Sequence, residues 1–121
     1  MNNTSMITWH KFREIPKESG YYLVSVKWEE GFTNGKRKIS RYVEKANFVT
    51  EQDARKYASI EGVKRETNIW VLPDVYGDTT VIEINNSTVD YEYDKPDYMS
   101  SFTIEAWAEM PESVSEEFLN S

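Results

Sequence analysis

Between Gly20 and Trp28 the chain alternates, with Tyr22, Val24, Val26 and Trp28 on one side and Tyr21, Leu23, Ser25 and Lys27 on the other. A period of two sends successive side chains to opposite faces, so the spacing predicts a strand over 21–28 whose even positions face the core. Ahead of it, Pro16 and Gly20 read as a turn. Asn34-Gly35, inside the polar stretch 29–38, predicts a two-residue type I′ hairpin, in which both central residues take positive φ. Residues 39–49 supply the return strand with Tyr42, Ala46 and Phe48 on one face. Glu44 breaks that face, which makes the strand either an edge or the site of a bulge.

Thr50-Glu51-Gln52-Asp53 has the form of a helix start, the threonine hydroxyl capping free amides and an acidic side chain reaching back. Ala54, Tyr57, Ala58 and Ile60 follow at helical spacing and Gly62 is a stop, which predicts a helix near 51–61. Ile69–Leu72, Thr79–Ile84, Thr88–Tyr93 and Phe102–Ala108 read as further strands, separated by Pro73, by the Tyr76-Gly77-Asp78 turn, by Asn85-Asn86-Ser87 and by the loop around Pro96. Ser113 to Glu116 has capping-box spacing, so residues 113–121 are a short terminal helix or a frayed tail. The expectation is one α+β domain over 1–121: a mostly antiparallel sheet of about five or six strands, one middle helix and a short C-terminal helix. Trp9, Trp28, Trp70 and Trp107 are expected in or beside its core, with an exposed interface anchor as the alternative for Trp9.

Composition narrows the chemistry. The 121 residues contain no cysteine and one histidine. That excludes disulfide frameworks, thiolate metal sites and every arrangement needing two imidazoles. His10 lies in a turn-rich segment, and no glycine-flanked serine elbow accompanies it, so it is expected at the surface or in a hydrogen bond. The five glycines, at 20, 31, 35, 62 and 77, spell neither a phosphate-binding loop nor a dinucleotide fingerprint. The first residues lack the basic and apolar regions of a leader, and no apolar run approaches a membrane span, so a cytoplasmic protein is expected.

Charge is distributed unevenly. Residues 1–65 carry 13 Lys and Arg against 8 Asp and Glu, whereas residues 66–121 carry 13 acids and a single base, Lys95. The densest acidic stretch, Asp90-Tyr91-Glu92-Tyr93-Asp94-Lys95-Pro96-Asp97, offers the first ligands of a calcium loop but has Lys95 where that loop needs glycine and Ser101 where it needs glutamate. As a strand, it places the acids at 90, 92 and 94 on one face about 6.6 Å apart and Tyr91 and Tyr93 on the other. That row resembles a phosphate backbone in sign and spacing. The plainer interpretation is an edge strand with tyrosines inward and acids in water. Lys36, Arg37, Lys38, Arg41 and Lys45 form the opposite pole, a solvated hairpin lacking the aromatic platform of a nucleic-acid binder.

Trp9 with Ile15-Pro16-Lys17-Glu18-Ser19-Gly20-Tyr21-Tyr22-Leu23-Val24-Ser25-Val26, and Ile104-Glu105-Ala106-Trp107-Ala108-Glu109-Met110-Pro111-Glu112, resemble the two ends of a family of small phage and prophage proteins of unknown function. The match stops at the ends; the middle, residues 50–100, is longer than in that family, and Glu112-Ser113 stands where a second proline is common. The resemblance brings no catalytic residues. It implies a phage-encoded accessory protein in the cytoplasm of a bacterial host, with Trp9 and Trp107 packed near each other beside the first strand.

Together these features lead to a non-enzymatic protein without cofactor or metal, which binds a basic surface of a host protein, such as a nucleic-acid-handling or defence enzyme, as an inhibitor or nucleic-acid mimic. Its expected contact residues are Asp90, Glu92, Asp94, Asp97, Tyr91, Tyr93 and Tyr98. Direct nucleic-acid or membrane binding is not expected. The alternatives are a self-assembling protein whose sheet edge pairs with a second copy and, behind it, an enzyme using paired carboxylates.

Overall fold

The computed structural model describes residues 7–56, 67–111 and 120. Seven antiparallel strands form one sheet: β1 (His10–Lys11), β2 (Gly20–Phe32), β3 (Arg37–Val49), β4 (Ile69–Pro73), β5 (Thr79–Glu83), β6 (Thr88–Glu92) and β7 (Tyr98–Glu109). Among the described residues one six-residue helix, α1 (Glu51–Lys56), follows β3. The spatial order is β1-β7-β2-β3-β4-β5, with β6 sharing the outer side of β7 with β1.

The α+β expectation is therefore corrected to a nearly all-β domain, with one short helix among the described residues. The extra strand is β1, a two-residue bridge opposite Ala106 and Trp107 that is too short to show a period. The strands also outrun their apolar cores: Glu29 and Glu30 pair with Ser101 and Ser100, because backbone ladders recruit polar residues as readily as apolar ones. The helical positions Tyr57, Ala58, Ile60 and Gly62, and the terminal helix from Ser113, lie outside the described residues.

The even face of β2 points inward as the alternation requires, with Val24 and Val26 fully buried. They meet Ala46 and Phe48 of β3, Trp70 and Leu72 of β4, Ile82 of β5, and Phe102, Ile104 and Trp107 of β7. Between Ser25 and Val26 the register to β7 shifts by one, which leaves Glu105 without a partner in β2. This bulge is what keeps β7 useful on both sides of it. Phe102 and Ile104 face the core before it, Trp107 faces the same core after it, and Glu105 turns out to an ion pair with Arg41 at 2.8 Å. On the other face of the sheet, Ala54 of α1 packs on Val49 and Ile69 in a small second cluster.

The helix start is capped as expected, with Thr50 Oγ1 accepting from the Asp53 N–H at 3.3 Å. The reach-back is made differently: Ser19 Oγ accepts from the Thr50 N–H at 2.9 Å and donates to the Asp53 carboxylate, tying the turn before β2 to the helix. Glu44 resolves as the edge alternative. The pairing of β2 with β3 runs unbroken from Gly20↔Phe48 to Gly31↔Arg37, and β4 reaches β3 only at residues 47–49.

Two expectations at the chain's turns and ends are corrected. Asn34 and Gly35 do not take positive φ; the connection is longer, with Gly35 N–H donating to the Phe32 carbonyl at 3.1 Å, and the unusual backbone moves to Gly31 at φ 148°. Trp9 is 40% exposed, and the ring lying on Trp107 belongs to His10, with centroids 4.3 Å apart. The pairing of His10 with Trp107 across β1 and β7 sets that stack, and it points the neighbouring Trp9 away.

A Cβ on Gly31 would stand 2.8 Å from the Lys36 carbonyl oxygen and 3.0 Å from Arg37 Cα. Both obstacles are backbone. Gly31→Ala is therefore expected to lower stability by about 1–3 kcal/mol, read as a reduced midpoint with unchanged slope in urea denaturation.

Candidate functional site

The sheet curls so that its two ends meet, and of the residues singled out in 90–98 Tyr91 and Tyr93 lie at that meeting line. From one end come Asp74 and Tyr76, in the β4–β5 turn, and Thr80 of β5; from the other come Tyr91 of β6 and Tyr93 just after it. Asp74 organises the join with both carboxylate oxygens. Oδ1 accepts from the Tyr76 and Asp78 N–H groups at 2.8 and 3.0 Å, closing the turn in which Gly77 takes φ 84°. Oδ2 accepts from the Tyr91 hydroxyl at 3.2 Å, and that hydroxyl also lies 3.5 Å from Thr80 Oγ1. Alongside, the Tyr76 and Tyr93 hydroxyls hydrogen-bond to each other, and Tyr93 shares a 2.7 Å hydrogen bond with Ser100, a buried serine. Trp28 closes the base of this group, 5.6 Å from Tyr91 and 6.0 Å from Tyr76 between ring centroids.

The expected contact residues thus divide into two sets. Tyr91 is turned inward and is a packing residue against the core. Tyr93 and Tyr98 stack edge to face at 5.2 Å, with the Tyr98 hydroxyl donating to Glu30 at 2.9 Å. Asp90, Glu92, Asp94 and Asp97 are exposed. Asp90 accepts from Ser101 Oγ at 2.7 Å, while Asp94 lies beyond the end of β6, so the acids form a strand pair plus a loop and not one continuous row. Asp97 holds φ 61°, a left-handed conformation that aspartate tolerates, and its carbonyl accepts from the Thr33 N–H at 2.8 Å. That bond fastens the acidic loop to the tip of the β2–β3 hairpin. Glu92, Asp94 and Asp97 rim a surface depression of about 450 Å³ with Tyr93 and Tyr98 in its wall. Lys95, the one base of the segment, lies over the Phe32 and Tyr98 rings at 5.6 and 5.2 Å.

No match is found for this chain among protein-family models, curated proteins or solved structures. Its chemistry is therefore that of its own residues. Among the described residues no three His, Cys, Asp or Glu side chains gather as a metal site. His10 lies 3.6 Å from the Glu14 carboxylate and against Trp107, whose indole N–H donates to the Glu14 carbonyl. No helix among the described residues is long and apolar enough to cross a membrane.

Sequence reasoning missed Asp74, Tyr76 and Ser100. The turn at Gly77 was visible, but the partner of Asp74 lies seventeen residues away across the closure, and no local pattern encodes that distance.

Two phenols of the join, Tyr76 and Tyr91, and the nearby Tyr42 hold their protons above the ordinary tyrosine range. The hydrogen bond to Tyr93, with some desolvation, pushes Tyr76 up to about 12. Desolvation, with the charges of Glu44 and Asp74 nearby, does the same for Tyr42, and desolvation also raises Tyr91.

Asp74→Ala strips an acceptor from two turn amides and a phenol, and is expected to cost about 1–3 kcal/mol in thermal unfolding; Asp74→Asn, which keeps an acceptor, should cost less. Because the folded protein holds protons on Tyr42 and Tyr76 that the unfolded chain releases near pH 10, stability falls as pH rises from about 10 to about 12. A near-ultraviolet phenolate titration should therefore show some of the eight tyrosines ionising only as the fold is lost.

Proposed function

We propose that the chain is a non-enzymatic binding protein whose β6–β7 hairpin seats on a basic surface of another protein. The observation that carries this is the state of its carboxylates: Asp90, Glu92, Asp94 and Asp97 stand exposed, and none is paired with a cation among the described residues. The tyrosines beneath them are engaged in hydrogen bonds and ring contacts, which hold the hairpin rigid and keep the acids presented. Uncompensated charge on a rigid support favours fast, salt-sensitive association with a surface of opposite sign. Tyr93, on the exposed side, adds the aromatic area that rim charges lack.

The partner in this proposal is a host protein that itself handles nucleic acid, since a cluster of exposed carboxylates, Asp90 and Glu92 on the strand and Asp94 and Asp97 on the loop, offers a basic surface negative charge as phosphates do. The resemblance of the chain's ends to phage accessory proteins belongs to the same proposal, and places the encounter in a bacterial cytoplasm.

The test is capture of partners from bacterial lysate by the full chain and by an Asp90→Lys, Glu92→Lys, Asp94→Lys variant, with circular dichroism to confirm that the variant is folded. A basic nucleic-acid enzyme should be retained by the parent, displaced by duplex DNA, and lost with the variant. Equal retention by both at matched salt would refute the proposal.

A further inference from the structure

A second patterned surface lies on β3, three strands across the sheet from β6. The pairing of β3 with β4 ends at Asn47 and Val71; carried on in the same register it would set Ala46 against Leu72 and then Lys45 against Pro73, and proline brings no N–H to a ladder. There β4 leaves β3, and residues 37–45 are an edge with no strand on its outer side among the described residues. A depression of about 390 Å³ marks the parting, lined by Tyr21, Glu44, Lys45, Val71 and Pro73.

This edge is patterned. Arg37, Ile39, Arg41, Val43 and Lys45 occupy alternate positions and are all exposed, whereas Ser40, Tyr42 and Glu44 between them are half-buried. One face of the edge therefore reads base, apolar, base, apolar, base. Edges are protected against aggregation by being short, bulged, interrupted by proline or lined with charges, and charges lined up for protection alone have no need of exposed apolar residues between them. This one belongs to a thirteen-residue strand in continuous register with β2, and it leaves Ile39 and Val43 51% and 53% exposed. Arg37 and Arg41 are held at Glu29 and Glu105, at 3.6 and 2.8 Å, which fixes their side chains over the same face.

We propose that residues 37–45 of β3 accept an extended acidic segment of a partner protein as an added antiparallel strand. Backbone hydrogen bonds supply a general affinity, and alternate side chains supply the selectivity. Directly opposite pairs govern cross-strand preference, so the fitting segment carries carboxylates every fourth residue with an apolar residue midway between them. Acids then stand against Arg37, Arg41 and Lys45, and apolar side chains against Ile39 and Val43. A second copy of β3 would instead bring the same line of cations up to the edge, which like-charge repulsion opposes.

The experiment uses the full chain and a labelled synthetic nonapeptide of that alternating acid and apolar pattern, followed by fluorescence anisotropy. Two control peptides accompany it: one of the same composition scrambled, and one N-methylated at alternate amides to abolish strand pairing. The expected result is saturable binding of the patterned peptide, slowed hydrogen exchange at amides 37–45, and binding at least tenfold weaker for both controls. Arg41→Glu with Lys45→Glu should weaken it by a similar factor, while Asp90→Lys with Glu92→Lys should not, which separates this edge from the acidic hairpin. Absence of binding, equal binding of the N-methylated peptide, protection elsewhere, or self-association that already protects β3 would each overturn the proposal.

Discussion

A sheet with one large apolar face, and with a six-residue helix as the only helix among the described residues, has to supply most of its own cover. The helix lies on the small outer cluster at Val49 and Ile69, so among the described residues the large inner face, from Tyr22 to Trp107, meets mainly more of the same sheet, with Phe12 from the turn after β1 packed against it. Curling satisfies this constraint. Long strands give the sheet its span, the bulge at Glu105 lets β7 bend without turning Trp107 to water, and Trp70 fills the middle, with Phe48 and Trp107 at 4.9 and 6.3 Å.

Much of this was legible wherever one local rule acted alone. The even face of β2, the threonine cap at residue 50 and the inward tyrosine with outward acids of β6 all follow from periods of two or from hydrogen bonds a few residues apart. What escaped depended on distant partners. In Phe102-Thr103-Ile104-Glu105-Ala106-Trp107-Ala108 the small alanines allow an uninterrupted alternation, and only the pairing to Ser25 and Val26 shows that it skips a residue. Likewise the first turn of the chain offers Trp9 and His10 as adjacent rings, and the two-residue bridge to β7 decides which of them lies on Trp107.

The contrast between the basic and acidic halves of the chain becomes, in three dimensions, a contrast between strands. Among the described residues the densest group of bases, Arg37, Lys38, Arg41 and Lys45, lies on β3, and the densest group of acids, Asp90, Glu92, Asp94 and Asp97, on β6 and the loop that follows. β2 and β7 stand between them, and there Glu29 and Glu105 take up two of the arginines. The surface is thus neither uniformly acidic nor randomly mixed, and a net charge of −7 describes no part of it well.

The line along which the sheet closes differs in kind from the rest of the wall. Elsewhere neighbouring strands are joined by peptide ladders that fail only cooperatively, but β5 and β6 meet through phenols, a threonine and the one carboxylate of Asp74. Such a fastening is a clasp more than a weld: it belongs to no ladder, and the rings of Trp28, Tyr76 and Tyr91 lie directly behind it.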